Sequence, residues 1–206
     1  MSLILYTNPM SRGRIARWAL EETGAPYETR ILQWGAEMKA PQFCALNPMG
    51  KIPVLDHAGT IITETAAITA YLADAFPEAG LAPPVHSPQR GPYYRWLFFA
   101  AGPLEAAITD KSLNLAIPPD KSAFVGYGSL ELTLDVIENA VSATPYLAGD
   151  SFTMADLYLA AHLGFGLQFS TIAPRPAFQD YVARQMSRPA AQRANALDDA
   201  AMPRPA

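Results

Sequence analysis

The sequence predicts an α/β domain of order βαβ-α-ββα followed by an all-helical bundle domain, and three observations predict it. Up to Phe76, short apolar strand-like runs alternate with helical patterns. A Pro/Gly-rich stretch, "PEAGLAPPVHSP", follows, and past it strand signals fade. Beyond that only helix caps and helical periodicity remain. The expected boundaries are residues 1–77 for the first domain, 78–87 for a linker and 88–206 for the helical domain.

The elements follow in order. "LILY" (Leu3 to Tyr6) is a strand, Arg12 to Thr23 a helix ended by Gly24, and "YETRI" (Tyr27 to Ile31) a second strand. This is a βαβ unit, so its strands are expected to be parallel with a right-handed crossover. A helix is expected around Glu37 to Leu46. Two short strands then flank a turn at His57-Ala58-Gly59 and must be antiparallel, which makes the sheet mixed. A helix from Thr65 to Phe76 closes the domain. Ser87-Pro88 supplies an N-cap and first-turn proline for a long segment to Leu115, with a kink or break expected at Gly102-Pro103. The next helix should run from Asp120 to Ala143, weakened locally by Gly126 and Gly128. Thr153 and Asp156 form an acidic variant of the capping box ahead of an apolar run. A final helix is expected from Pro176 to Ser187, and the Pro-containing tail after Asp199 is expected to fray. There is no internal repeat and no low-complexity tract.

Composition narrows the function. Half of the 206 residues are hydrophobic, enough for packed cores. A net charge of -4, with the 15 basic residues scattered, offers no stripe for a phosphate backbone and argues against nucleic acid. "MSLILY" is too short for a signal-peptide core, and no apolar run approaches ~18 residues, so no membrane segment is expected. The single cysteine, Cys44, cannot form a disulfide within the chain, and a cytoplasmic, reduced protein is the expectation. Its apolar neighbours in "PQFCALNP" favour a buried, inert thiol. His57, His86 and His162 lack ligand spacing, so neither a metal nor another cofactor is expected.

Chemistry is expected at the carboxyl ends of the parallel strands, where helix N-termini present free N–H groups. The first helix carries its charges against its dipole, with Arg12 and Arg14 at its start and Glu21 and Glu22 at its end. Either arginine stems covering apolar surface or an anion bound near Ser11 would account for this. Ile52-Pro53 enters a strand and leaves the Ile52 backbone free to pair with an extended ligand; the base rate for that peptide bond is trans. Glu64 and Thr65 open a helix and could hold an ammonium and a carboxylate. Taken singly, an N-cap, a rigid corner and a favourable first turn explain Ser11, Pro53 and Glu64-Thr65 as well. Together they fit a peptide-like ligand with a zwitterionic end. In "GPYYRWLFFAAGPLE", Tyr94 and Phe98 share a helix face, a pattern that core packing also produces.

"LYTNPMSRGRIARWALEE", "LNPMGKIPVL" and "ITETAAITAYLAD" resemble the glutathione-binding segments of the cytosolic glutathione transferase family, and "FTMADLYLAA" resembles a capped helix of its C-terminal domain. The resemblance points to a bacterial member with a serine-type site. It implies a thioredoxin-like first domain, a helical bundle, a homodimer, and glutathione as co-substrate with a small hydrophobic electrophile. Ser11 would lie near the sulfur, with Tyr6 as its competitor. Arg12, Lys51, Ile52, Pro53, Glu64 and Thr65 would hold glutathione, Ile52 pairing with the cysteinyl part beside a cis Pro53. Met10, Tyr94 and Phe98 would line the electrophile pocket. Thr65 stands where many relatives have serine, no cysteine lies near Ser11, and the C-x-x-C of thioredoxins is missing. The implied activity is glutathione conjugation; an isomerase, dehalogenase or peroxidase on the same fold, or a non-catalytic scaffold, are its alternatives.

Overall fold

The structure, a computed structural model, describes residues 2–202. They divide into two compact units, one running to Leu81 and resuming at Arg188, the other spanning Ala82–Ser187.

The first unit is built on a four-stranded mixed sheet of order β2-β1-β3-β4. Strand β1 (Leu3–Thr7) pairs in parallel with β2 (Glu28–Ile31) and antiparallel with β3 (Val54–His57), which pairs antiparallel with β4 (Thr60–Thr63). Helix α1 (Gly13–Thr23) makes the parallel crossover and α4 (Thr65–Ala75) follows β4. Leu3, Leu5 and Thr7 are buried at alternate positions of β1, as a pleated strand requires. Ile15, Ala16, Ala19 and Leu20 of α1 and Ile68 and Leu72 of α4 are likewise buried. The single helix expected around Glu37 to Leu46 is instead two short ones, α2 (Ala36–Lys39) and α3 (Pro41–Cys44). Pro41 is the reason: the residue before it, Ala40, is forced into an extended conformation. Met38, Phe43 and Val54 form a second small core against which Tyr6, Ile52 and Ile61 pack.

A helix absent from the sequence expectations completes this unit. The chain returns as α10 (Pro189–Ala200) and packs on α1 through the buried Ala190, Ala191 and Ala194, whose small side chains permit close approach. Like α1, α10 carries charges against its dipole, with Arg188 and Arg193 near its start and Asp198 and Asp199 at its end. The helices are antiparallel, so the two inversions complement each other. Arg188 forms a two-pronged pair with Glu22 at 2.7 and 2.8 Å, and Arg193 reaches Glu21 at 3.0 Å. At the other end Arg17 binds Asp198 at 2.9 Å and Arg14 binds Asp199 at 2.6 Å.

Pairs with one partner open to water, Arg14–Asp199 and Arg193–Glu21, contribute little each. Arg17–Asp198 is different, because both side chains are almost wholly removed from water. The Arg17 guanidinium also donates to the Tyr27 hydroxyl and Thr29 Oγ1, which spreads its charge over β2 and its approach. Burial pushes the Asp198 carboxyl above its usual range although Arg17 pulls it down, and Asp198 Oδ2 has no hydrogen-bond partner among the described residues.

The second unit is helical. Helix α5 (Arg90–Phe99) continues through a π-helical segment (Ala100–Leu104) into α6 (Glu105–Ser112). Pro103 therefore produces no break: it lacks an N–H, and the wider π turn absorbs the missing bond. The helix expected from Asp120 is shorter. Pro119–Phe124 is a 3-10 segment, Gly128 takes a positive φ of 67°, and Ser129 caps α7 (Leu130–Ala143) by accepting from the Leu132 N–H. Helix α8 (Met154–Gln168) is buried along most of its length between α5 and α9 (Pro176–Met186), which is why it is apolar on every side. The capping box at its start is present. Asp156 also accepts from the Leu147 N–H and the Tyr181 hydroxyl, both at 2.9 Å, so the cap ties α8 to α9. The fraying expected after Asp199 concerns in part residues 203–206, which lie outside the described residues.

Because removal of one member strands the other charge in the interior, Arg17→Met and Asp198→Leu should each cost about 3–5 kcal/mol, while the double variant should recover most of that loss. Urea unfolding of the three proteins checks it.

Candidate functional site

Strand register gathers the predicted segments at one end of the sheet. Tyr6 pairs with Val54, and Val54 with Thr63. The loop after Thr7, the residues before Val54 and those after Thr63 therefore emerge side by side, carrying Ser11, Lys51-Ile52-Pro53 and Glu64-Thr65 with them. The N-termini of α1 and α4 open at the same end.

Two of these segments are shaped by one tripeptide used twice. Asn8-Pro9-Met10 and Asn47-Pro48-Met49 each form an Asx turn, in which the asparagine Oδ1 accepts from the N–H two residues on, at 2.9 and 3.1 Å. Each asparagine also donates from Nδ2 to a backbone carbonyl at 2.8 Å, Asn8 to Leu32 and Asn47 to Lys51. Both are buried. These asparagines have no role among the sequence expectations; the recurring Asn-Pro-Met was the available signal of one.

Ser11 sits in the first turn, half-buried. Its hydroxyl donates to the Asn8 carbonyl at 2.7 Å and accepts from the Gly13 N–H at 2.9 Å. It therefore satisfies the first N–H of α1 from one residue before the N-cap, a position that Arg12 takes in place of the Ser11 expected there, while keeping a lone pair unused. Arg12 is exposed at the helix start. Arg14 is committed to Asn195 and Asp199 of α10 and to the Pro9 carbonyl. The inverted charges at Arg14, Glu21 and Glu22 are thus answered by Arg188 and α10, a third account beside the two that the sequence offered.

Gly13 is required by close approach. A Cβ there would fall 1.8 Å from Thr7 Oγ1 and 2.9 Å from Ser11 Oγ. Thr7 Oγ1 fills the space that a side chain would take and has no hydrogen-bond partner among the described residues.

At the second segment the Ile52-Pro53 peptide bond is cis, against the base rate and in line with the family resemblance. Among the described residues the Ile52 backbone N–H and carbonyl have no protein partner. Lys51 is exposed, and its carbonyl is held by Asn47. In the third segment, Glu64 is exposed at the N-cap of α4 with φ 65° and ψ 119°. A non-glycine residue rarely adopts that conformation, which costs on the order of 1–3 kcal/mol and is typical of functional positions. Its side chain does not cap the helix, so the first N–H groups of α4 stay open beside the buried Thr65.

Other candidates are placed differently. Tyr6 follows Leu5 and precedes Thr7, both of which are fully buried, and so faces the other side of the sheet. There it packs against the Met38, Phe43 and Val54 cluster, its ring 6.0 Å from Phe43. Met10 is exposed beside Ser11. Tyr94 and Phe98 belong to the second unit, where Tyr93, Trp96 and Leu97 take the core positions of α5. Tyr94 and Phe98 are solvent-facing, 40% and 68% exposed, so packing does not explain them. Cys44 is only partly buried, its Sγ 3.8 Å from the Met38 carbonyl oxygen. No cluster of three or more metal-ligating side chains occurs among the described residues. No helix there is long and apolar enough to cross a membrane.

Gly13→Ala should displace Ser11 and cost about 1–3 kcal/mol, the range for overpacking a tight site. Thr7→Ala in the same chain, which removes the nearest clashing atom, should restore part of the stability in thermal unfolding.

Comparison with known proteins places the chain in a family. Residues 1–74 match the family model described as glutathione S-transferase, N-terminal domain, and residues 113–189 match glutathione S-transferase, C-terminal domain. Glutathione S-transferase F10 of Arabidopsis thaliana is 31% identical over 176 residues, covering 80% of each chain. The crystal structure of a glutathione transferase from Methylococcus capsulatus superposes with a TM-score of 0.80 at 29% identity, covering 96% of this chain and 99% of the other. A sphingomonad glutathione S-transferase complexed with glutathione gives 0.76 at 26% identity, over 95% and 98% of the two chains. With both domains matched in order and the relatives aligned over most of their length, the chain belongs to the glutathione S-transferase family.

Proposed function

We propose that this protein binds glutathione across the end of its mixed sheet, stabilises the thiolate at Ser11 and directs it at a small hydrophobic electrophile. The observation that carries the reading is the meeting, at one sheet end, of two helix N-termini and the unpaired Ile52 backbone. Three adjacent strands, β1, β3 and β4, span about 10 Å there, close to the reach of an extended tripeptide. Ile52 would pair with the cysteinyl part beside Pro53. Thr65 and the open N–H groups of α4 would take the γ-glutamyl carboxylate while Glu64 takes its ammonium. Arg12 and Lys51, both exposed at the rim, would attract the remaining negative charge. Met10, exposed beside Ser11, would contribute apolar surface for the electrophile. The sulfur would then form a bond to the electrophilic carbon, with the electron pair leaving on the displaced group.

The Ser11 hydroxyl carries one proton, and that proton faces the Asn8 carbonyl. Donation to a thiolate requires it to turn away. The carbonyl is not stranded, because the Ser11 N–H donates to it as well, at 3.1 Å. A neutral bond of about 1 kcal/mol is exchanged for a charge-assisted one of about 1.5–3, and the α1 dipole adds about 0.3–1. The surplus of about 1–3 kcal/mol lowers a thiol pKa near 8.5 by roughly one to two units. That brings a large share of the bound thiol into the reactive form near neutral pH.

We expect a cytoplasmic C2 homodimer with no cofactor beyond the co-substrate glutathione; light scattering of a monomer at micromolar concentration would reject the assembly. For the chemistry, Ser11→Ala should raise the pKa of bound glutathione's thiol by about one unit, slowing conjugation of an aryl halide near neutral pH and much less at high pH. Thiolate absorbance titration reads this, and a shift in Tyr6→Phe but not in Ser11→Ala would transfer the role to Tyr6. Glu64→Ala should weaken glutathione binding roughly ten- to hundred-fold in calorimetry, the loss of one charge-assisted bond.

A further inference from the structure

The loop that carries Ser11 is held from a distant part of the chain. Arg14 donates from one guanidinium nitrogen to the Pro9 carbonyl at 3.3 Å, and from the other to Asn195 Oδ1 at 3.3 Å and Asp199 Oδ1 at 2.6 Å. Pro9 lies between Asn8, whose carbonyl takes the Ser11 hydroxyl, and Ser11 itself. A planar guanidinium bridging these groups fixes a carbonyl within the turn relative to α10. We propose that Asn195 and Asp199 of α10 are positioning residues for the thiol site, acting through Arg14 on the Pro9 carbonyl and so on the orientation of Ser11. The proposal rests on the reading of Ser11 as the thiol's hydrogen-bond donor.

The rest of the α1–α10 contact allows the idea to be tested without dismantling the fold. Arg17–Asp198, Arg188–Glu22 and Arg193–Glu21 lie elsewhere along the pair and do not touch the loop. Asp199 is exposed, and its replacement leaves all three pairs in place.

Electrostatics and positioning predict opposite signs, which makes the outcome decisive. Loss of the Asp199 charge would by Coulomb's law alone favour a nearby anion and lower the thiol pKa. Loss of a held loop weakens the Ser11 bond and raises it. The test is the titration of bound glutathione's thiol, with kcat for an aryl halide and the glutathione dissociation constant, in Asp199→Asn, Asn195→Ala, Ser11→Ala and the Asp199→Asn/Ser11→Ala double variant. The expected result is a rise of about half a pKa unit in Asp199→Asn, about three-fold less thiolate below the pKa, with kcat reduced in proportion and glutathione affinity within two-fold of wild type. Asn195→Ala should move the same way by less. The double variant should titrate like Ser11→Ala alone, because the effect passes through that hydroxyl. A lowered or unchanged pKa in Asp199→Asn, beside a raised one in Ser11→Ala, overturns the positioning role and leaves the Ser11 reading intact. An unshifted Ser11→Ala overturns both. A lower melting temperature in Asp199→Asn without any movement of the titration marks the contact as one of stability only, and also overturns the proposal.

Discussion

The buried ion pair between Arg17 and Asp198 is the constraint on which the first unit turns. A guanidinium in the middle of α1, almost closed off from water, is tolerable only with a carboxylate against it. That carboxylate comes from residues 181 positions away. Around the pair, Arg14, Glu21 and Glu22, misplaced for their own helix, are well placed for its neighbour. Two antiparallel helices also oppose their dipoles, so the arrangement gains where each helix alone would lose. Members open to water contribute little to stability, but they help fix the sliding register of α10 along α1, because a shift by one turn would part each charge from its partner.

On that frame, the candidate site depends on backbone groups more than on side chains. Helix N–H groups, the free edge at Ile52 and two Asx turns supply most of what a peptide ligand could use. Backbone positions are insensitive to sequence drift as long as the turns hold, and Asn8, Asn47, Gly13 and Pro53 are the residues that hold them. Ser11 is the point where a side chain adds chemistry, and it does so while also serving as part of the turn.

Much of this was legible in the sequence, for reasons that differ from element to element. Strands β1 to β4 and helices α1, α4 and α8 follow from local periodicity, turn residues and caps, all of which lie within a few residues of what they determine. The three site segments were legible for the same reason, and their meeting follows from a mixed-sheet topology that the βαβ and hairpin signals already imply. Errors arose where a proline or a distant partner decided. Pro41 divides a helix that composition alone would continue, and Pro103 is absorbed by a π segment instead of breaking one. Helix α10 was missed because its face is alanine and its anchors are charges, a pattern that looks solvated until α1 is set beside it. The inverted charges of α1 were visible from the start. Their explanation was not, since it required the matching inversion in Arg188, Arg193, Asp198 and Asp199 to be read as the other half of one contact.

The first unit is discontinuous in sequence, and this sets an order of events during synthesis. As the chain leaves the ribosome, the sheet, α1 and α4 are all available while α10 is still to be made. Over that interval Arg17 has no Asp198, and the face of α1 that α10 will cover lies open to water. The second unit, continuous from Ala82 to Ser187, can collapse in the meantime. The first unit to be translated is therefore the last to be finished, and the helix that closes it arrives only after the whole of the other has emerged.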